Sequence, residues 1–92
     1  MNDPVKMESN SDLYAFLADL SIQLSTVDSG ELSATLDYAK GFASGSPTEF
    51  LGESRIALKS LYALKALSDN QRKQVEFVLR KIDEAFVRVG GV

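Results

Sequence analysis

Two tetrapeptides, Ser46-Pro47-Thr48-Glu49 and Ser68-Asp69-Asn70-Gln71, do most to limit what this chain can fold into. Each begins with a serine whose hydroxyl can accept from a backbone N–H that the first turn of a helix leaves without a partner. Each ends with a Glu or Gln that can reach back to the serine's own N–H and complete a capping box. Pro47 fits the first helical position, which needs no N–H and already wants its fixed φ. These two starts predict helices over about 47–66 and 69–89, with Gly90-Gly91 as the left-handed stop of the second.

Ahead of them the apolar residues repeat with helical spacing. Leu13, Phe16, Leu17, Leu20 and Leu24 share one stripe at about 100° per residue. That predicts a helix over about 11–26, capped by Ser9, Asn10 or Ser11. Asp28, with Glu31 three residues on, is the expected cap of a helix over about 29–43, whose inner stripe is Leu32, Leu36, Ala39 and Ala43. No stretch alternates with period two, so no strand is expected. The three short connections place neighbouring helices antiparallel. The expected fold is therefore all-α: a small antiparallel up-down-up-down four-helix bundle, or a three-helix core with one helix packed across it. Residues 1–8 are expected to be a flexible N-terminal segment and 9–92 a single helical domain.

Missing residue types narrow the chemistry. The chain has no His, no Cys and no Trp. Without His and Cys there is no Ser-His-Asp or Cys-His machinery, no Glu-x-x-His di-iron bundle and no common zinc site. Gly41-Phe42-Ala43-Ser44-Gly45 has its serine one place late for a nucleophile elbow and no strand before it. No Lys follows these glycines as a phosphate loop requires. Glu49 and Glu53 lie one turn apart, but two carboxylates do not make a cation site. A non-enzymatic protein with no catalytic residues, metal or cofactor is expected. No run of 18 apolar residues occurs, so no membrane span is expected. The polar start, Met1 to Ser11, lacks the apolar region of a signal peptide, which predicts a cytoplasmic protein.

The net charge of −3 conceals an asymmetry. Up to Ser54 there are two bases against nine acids; from Arg55 onward, eight bases against four acids. With the expected helices numbered in chain order as 1 (11–26), 2 (29–43), 3 (47–66) and 4 (69–89), helix 4 carries Arg72, Lys73, Arg80, Lys81 and Arg88, yet Glu76, Asp83 and Glu84 interrupt them, and the chain is acidic overall. Nucleic-acid binding is disfavoured on both counts. The acidic half points instead to a basic protein partner, steered electrostatically onto the helix 2 face and blocked by occlusion. Asp28, Glu31, Asp37, Glu49 and Glu53 are the candidate acids. Tyr38 and Phe42, one turn apart, are the candidate aromatic anchor. In general form, small, acidic and all-helical, the chain resembles bacterial toxin-immunity proteins. That resemblance is one of class, carried by no motif, and it implies a basic nuclease as partner.

Some apolar residues lie off the main stripes. Tyr14 and Ile22 form a second stripe on helix 1, Ile56 and Leu67 lie opposite the main face of helix 3, and Phe77 sits within the charged arc of helix 4. These five are the candidates for the alternative, a self-associating homodimeric structural module. The other reading of them is that small bundles bury wide arcs and expose scattered apolar residues.

Overall fold

The computed structural model describes residues 5–88, the side chain of Asp28 apart. Four helices follow one another: α1 Asn10–Gln23, α2 Glu31–Lys40, α3 Pro47–Ala63 and α4 Asp69–Arg88, with a 3-10 turn at Val27–Gly30 ahead of α2. No strand occurs among the described residues. Helix α1 packs chiefly on α2, α2 also on α3, and α3 on α4. The result is a small four-helix bundle with a radius of gyration of 12.4 Å, close to the roughly 12 Å of a compact chain this long. Along the α3–α4 seam, Gly52 meets Phe86, Arg55 meets Asp83 and Tyr62 meets Glu76, so the contacts step down α4 as they step up α3.

The helix starts follow the capping chemistry, with two differences. Ser9 caps α1, its hydroxyl accepting from the Asp12 N–H at 3.2 Å. At α4 the box closes in both directions: the Gln71 N–H donates to Ser68 Oγ at 3.1 Å, and the Ser68 N–H to Gln71 Oε1 at 2.9 Å. At α3 the Glu49 N–H donates to Ser46 Oγ at 3.4 Å, while the Glu49 carboxylate leans toward Gly45 rather than returning the bond. The start of α2 corrects the expectation. Ser29 and Gly30 are both left-handed, at φ 58° and 83°, so the helix cannot begin until Glu31. Gly30 is the cap, without a side-chain bond, and Asp28 lies within the preceding 3-10 turn.

The helix ends also fall earlier than expected. Helix α1 stops at Gln23 rather than 26, and α2 at Lys40 rather than 43, where residues 41–45 continue in tight turns. Helix α3 stops at Ala63 rather than 66, and α4 runs to Arg88; the expected stop at Gly90-Gly91 lies outside the described residues. The end of α3 has a consequence for two leucines. Leu64 turns extended at ψ 152°, so the 100° rotation no longer carries forward. Leu64 is 43% exposed, and Leu67, expected opposite the main face, is buried at 7%.

No glycine cap closes α3. Instead Arg72, in the first turn of α4, donates to the carbonyls of Tyr62 and Leu64 at 3.0 and 3.4 Å, satisfying acceptors the helix end leaves open. Its guanidinium lies 4.2 Å from the centre of the Tyr62 ring.

The core joins Leu13, Leu17 and Leu20 of α1, Leu32 and Leu36 of α2, Phe50, Leu58 and Leu61 of α3, and Val75, Val78 and Ile82 of α4. Val5 and Met7 of the N-terminal segment pack against it. Gly52 sits under Phe86, whose Cζ would stand 3.8 Å from a Cβ added there, an ordinary contact. Gly52→Ala should therefore fit and stabilise the fold by about 0.5–1 kcal/mol, since glycine in a helix interior costs roughly that much. A lowered urea midpoint would show instead that α4 needs the closer approach.

Candidate functional site

The outer faces of α2 and α3 enclose a shallow groove of about 330 Å³, lined by Ala34, Thr35 and Tyr38 from α2 and by Glu53, Ile56 and Ala57 from α3. The spacing explains the composition. Ala34 and Tyr38 are one turn apart, as are Glu53 and Ala57, so each helix contributes a single stripe. Alanines set a low floor, and the largest side chains, Tyr38 and Ile56, are 66% and 63% exposed. Tyr38 is braced: Phe42 meets it edge to face, ring centres 5.3 Å apart, and Phe42 itself packs on the core. The exposed ring thus has its orientation set by packing on a half-buried one.

The electrostatics of the groove have one sign. Glu53 is the only carboxylate lining it, and no Lys or Arg does. Glu31 lies one turn before Ala34, and Glu49 one turn before Glu53; both are exposed. None of these three glutamates belongs to an ion pair among the described residues. The nearest cations in sequence on α3 are Arg55 and Lys59. Arg55 is turned away to Asp83 at 2.8 Å, and Lys59 does not line the groove.

Of the two remaining acids of the expected face, Asp37 has internal partners. Asp37 Oδ1 accepts from Ser21 Oγ at 2.8 Å and pairs with Lys40 at 3.5 Å. Ser21 is buried and also meets Ser33 Oγ at 2.6 Å. A hydroxyl has one proton, so Ser33 donates to Ser21 and Ser21 to Asp37. Asp37 thus holds α1 to α2. Asp28 remains in its turn, its side chain outside the described residues.

The self-association candidates are not brought together as a set. Tyr14 is 43% exposed, lies under Lys40 at 5.4 Å and lines a separate depression with Asn10, Ser11, Ala43 and Phe50. Ile22 is 73% exposed on α1. Leu67 belongs to the core, for the reason given above. Phe77 is half-buried against the core with Lys81 over its ring at 5.5 Å; its place in the charged arc reflects a lysine stem laid across an aromatic rather than a free ring. Ile56 joins the acidic-face residues instead. Sequence reasoning missed Ala34, Thr35 and Ala57, whose only signal was small size at one-turn spacing beside Tyr38 and Glu53.

Elsewhere the charges are mixed or engaged. A depression of about 390 Å³ between Met7, Leu51 and Ala85 is lined by Lys81 and Arg88 but also by Glu8 and Glu84. On α4, Arg72 closes the end of α3 and Lys81 pairs with Glu84 at 3.5 Å, leaving Lys73, Arg80 and Arg88 as exposed bases. The Tyr62 hydroxyl donates to the Glu76 carboxylate. That hydrogen bond first, then desolvation and the carboxylate's charge, raise the Tyr62 phenol above its ordinary value, against the opposing pull of Arg72. No helix of the described residues is long and apolar enough to cross a membrane. Among them no three acidic, His or Cys side chains gather as metal ligands. No known protein family, curated protein or solved structure matches this chain.

Proposed function

We propose that the chain is a cytoplasmic, non-enzymatic binding protein that takes a basic protein partner on the α2–α3 face and neutralises it by occlusion, in the manner of an immunity or inhibitor protein. One observation carries this reading: an exposed, braced aromatic and an exposed isoleucine flank a groove that has a carboxylate and no cation. The carboxylates steer a basic partner and disfavour acidic ones, and the Tyr38–Ile56 pair supplies desolvated contact area. The acids available for steering are Glu31, Glu49 and Glu53. Asp37 contributes to cohesion of α1 with α2.

The test is capture from native lysate by the folded protein, compared with the Glu31→Lys/Glu53→Lys variant at low and high salt. A basic protein retained by the wild type should be lost from the variant, and its association rate should fall at least several-fold at low salt. Capture unaffected by the reversal, with circular dichroism showing both proteins folded, would sink the proposal. Asp37 is left unchanged because its reversal would also break the bonds to Ser21 and Lys40.

A further inference from the structure

Resting on that reading, we infer that the segment seated in the groove is a basic amphipathic helix, with an aliphatic side chain between Tyr38 and Ile56 and a Lys or Arg one turn away facing Glu53. The argument starts from shape. The groove is a furrow between two packed helices, walled by side chains one helical turn apart on each. Its natural filler is the ridge of a third helix, whose own side chains repeat at the same spacing. The floor of Ala34 and Ala57 lets that helix approach closely, while the walls offer apolar contact to one or two side chains. At about 330 Å³ the furrow is near the lower limit of ligand pockets, which run from roughly 300 Å³ upward, so a single short anchor fits it better than a broad surface.

Charge complementarity fixes the sign of the occupant. Glu53 borders the apolar walls and no cation lines the site; one turn beyond the lining, Glu31 on α2 and Glu49 on α3 are exposed acids and Lys59 on α3 is an exposed base, so the rim stays net negative. A helix with apolar residues at i, i+3, i+4 and i+7 and Lys or Arg on the flanks would place its cations against this rim. A second copy of this chain is a poorer match. Its exposed bases on α4, Lys73, Arg80 and Arg88, have the exposed acids Glu76, Asp83 and Glu84 along the same helix.

The test uses three synthetic peptides: a basic amphipathic helix with Leu and Lys in that pattern, a scramble of the same composition, and an acidic counterpart with Glu for Lys. Amide and methyl shifts of the full chain are followed by NMR during titration. The basic helix should shift Ala34, Tyr38, Ile56 and Ala57 together and bind at least about tenfold more tightly than the scramble. Ile56→Arg should weaken it about tenfold or more, with the fold retained. Glu53→Lys should weaken it and flatten its salt dependence. Equal binding of helix and scramble, with shifts spread over all the acids, would overturn the helix seat and leave the basic-partner reading standing. Binding of the acidic peptide as tight as the basic one would overturn both. No binding by any peptide would overturn the helix seat and leave the basic-partner reading to the capture experiment. Shifts at Tyr38 and Ile56 that depend on protein concentration alone would assign the groove to a second copy and overturn the inference.

Discussion

Leu67→Ala should lower the unfolding free energy by about 2–3 kcal/mol, whereas Ile56→Ala should change it by less than about 0.5 kcal/mol. The two residues lie on the same side of an extrapolated helix, and the sequence treats them alike. In the structure Leu67 is 7% exposed and belongs to the core, while Ile56 is 63% exposed on α3. Truncating Leu67 removes apolar contact and leaves space that a chain reversal between two helices can only partly close, hence the lower part of the usual Leu→Ala range. Truncating Ile56 removes little buried area and slightly favours the helix. A chain of this size shifts its melting temperature by about 4–8 °C per kcal/mol, so a thermal melt separates the pair easily. Equal effects would mean that the turn at Leu64 does not reverse the chain as described.

Two buried serines should respond to the same substitution with opposite sign. Ser54 is fully buried on α3, and its hydroxyl has no partner among the described residues. A hydroxyl so placed forfeits its hydration with nothing in return, a cost of about 1–3 kcal/mol. Ser54→Ala should stabilise by about 1–2 kcal/mol, including the better helix propensity of alanine. Ser21, 6% exposed, stands between Ser33 and Asp37 with both bonds made. Ser21→Ala should cost about 1–2 kcal/mol: a bond to a charged group is lost, moderated by the water that half-exposed Asp37 can recruit. Urea unfolding of both variants gives the comparison. Destabilisation by Ser54→Ala would show that its hydroxyl has a bond after all.

The parts of the fold that the sequence made legible are those governed by local chemistry. Serine at 9, 46 and 68 marks helix starts because a short hydroxyl meets an orphan N–H wherever the backbone turns helical. Asp28 is not the cap because the same rule has no knowledge of Ser29 and Gly30, whose left-handed backbone defers the helix by two residues. The end of α3 was misread because its closing group is not local. Arg72 arrives from the next helix, and no glycine announces the stop. The groove was visible only in pieces. The sequence points to Tyr38 and Glu53 for an acidic face and to Ile56 for self-association, since one helix's periodicity does not say which stripe of the next helix will stand beside it. Ala34, exposed on α2, and Ala57, part of the buried core on α3, become one floor only through the packing of α2 on α3.

Helix α2 has ten residues and a glycine cap that lends it no side-chain bond. A helix that short is marginal by itself in water, so its amides are held by what lies on either side of it. The wall of the groove that carries Tyr38 is thus the segment whose exchange with deuterium reports most directly on its neighbours. Loosening Ser21 on the α1 side should speed exchange along α2 and blunt the groove together. A ligand seated on the α3 side should slow exchange through the whole of α2, including amides it never touches, because it adds to the stability of an element that opens as a unit.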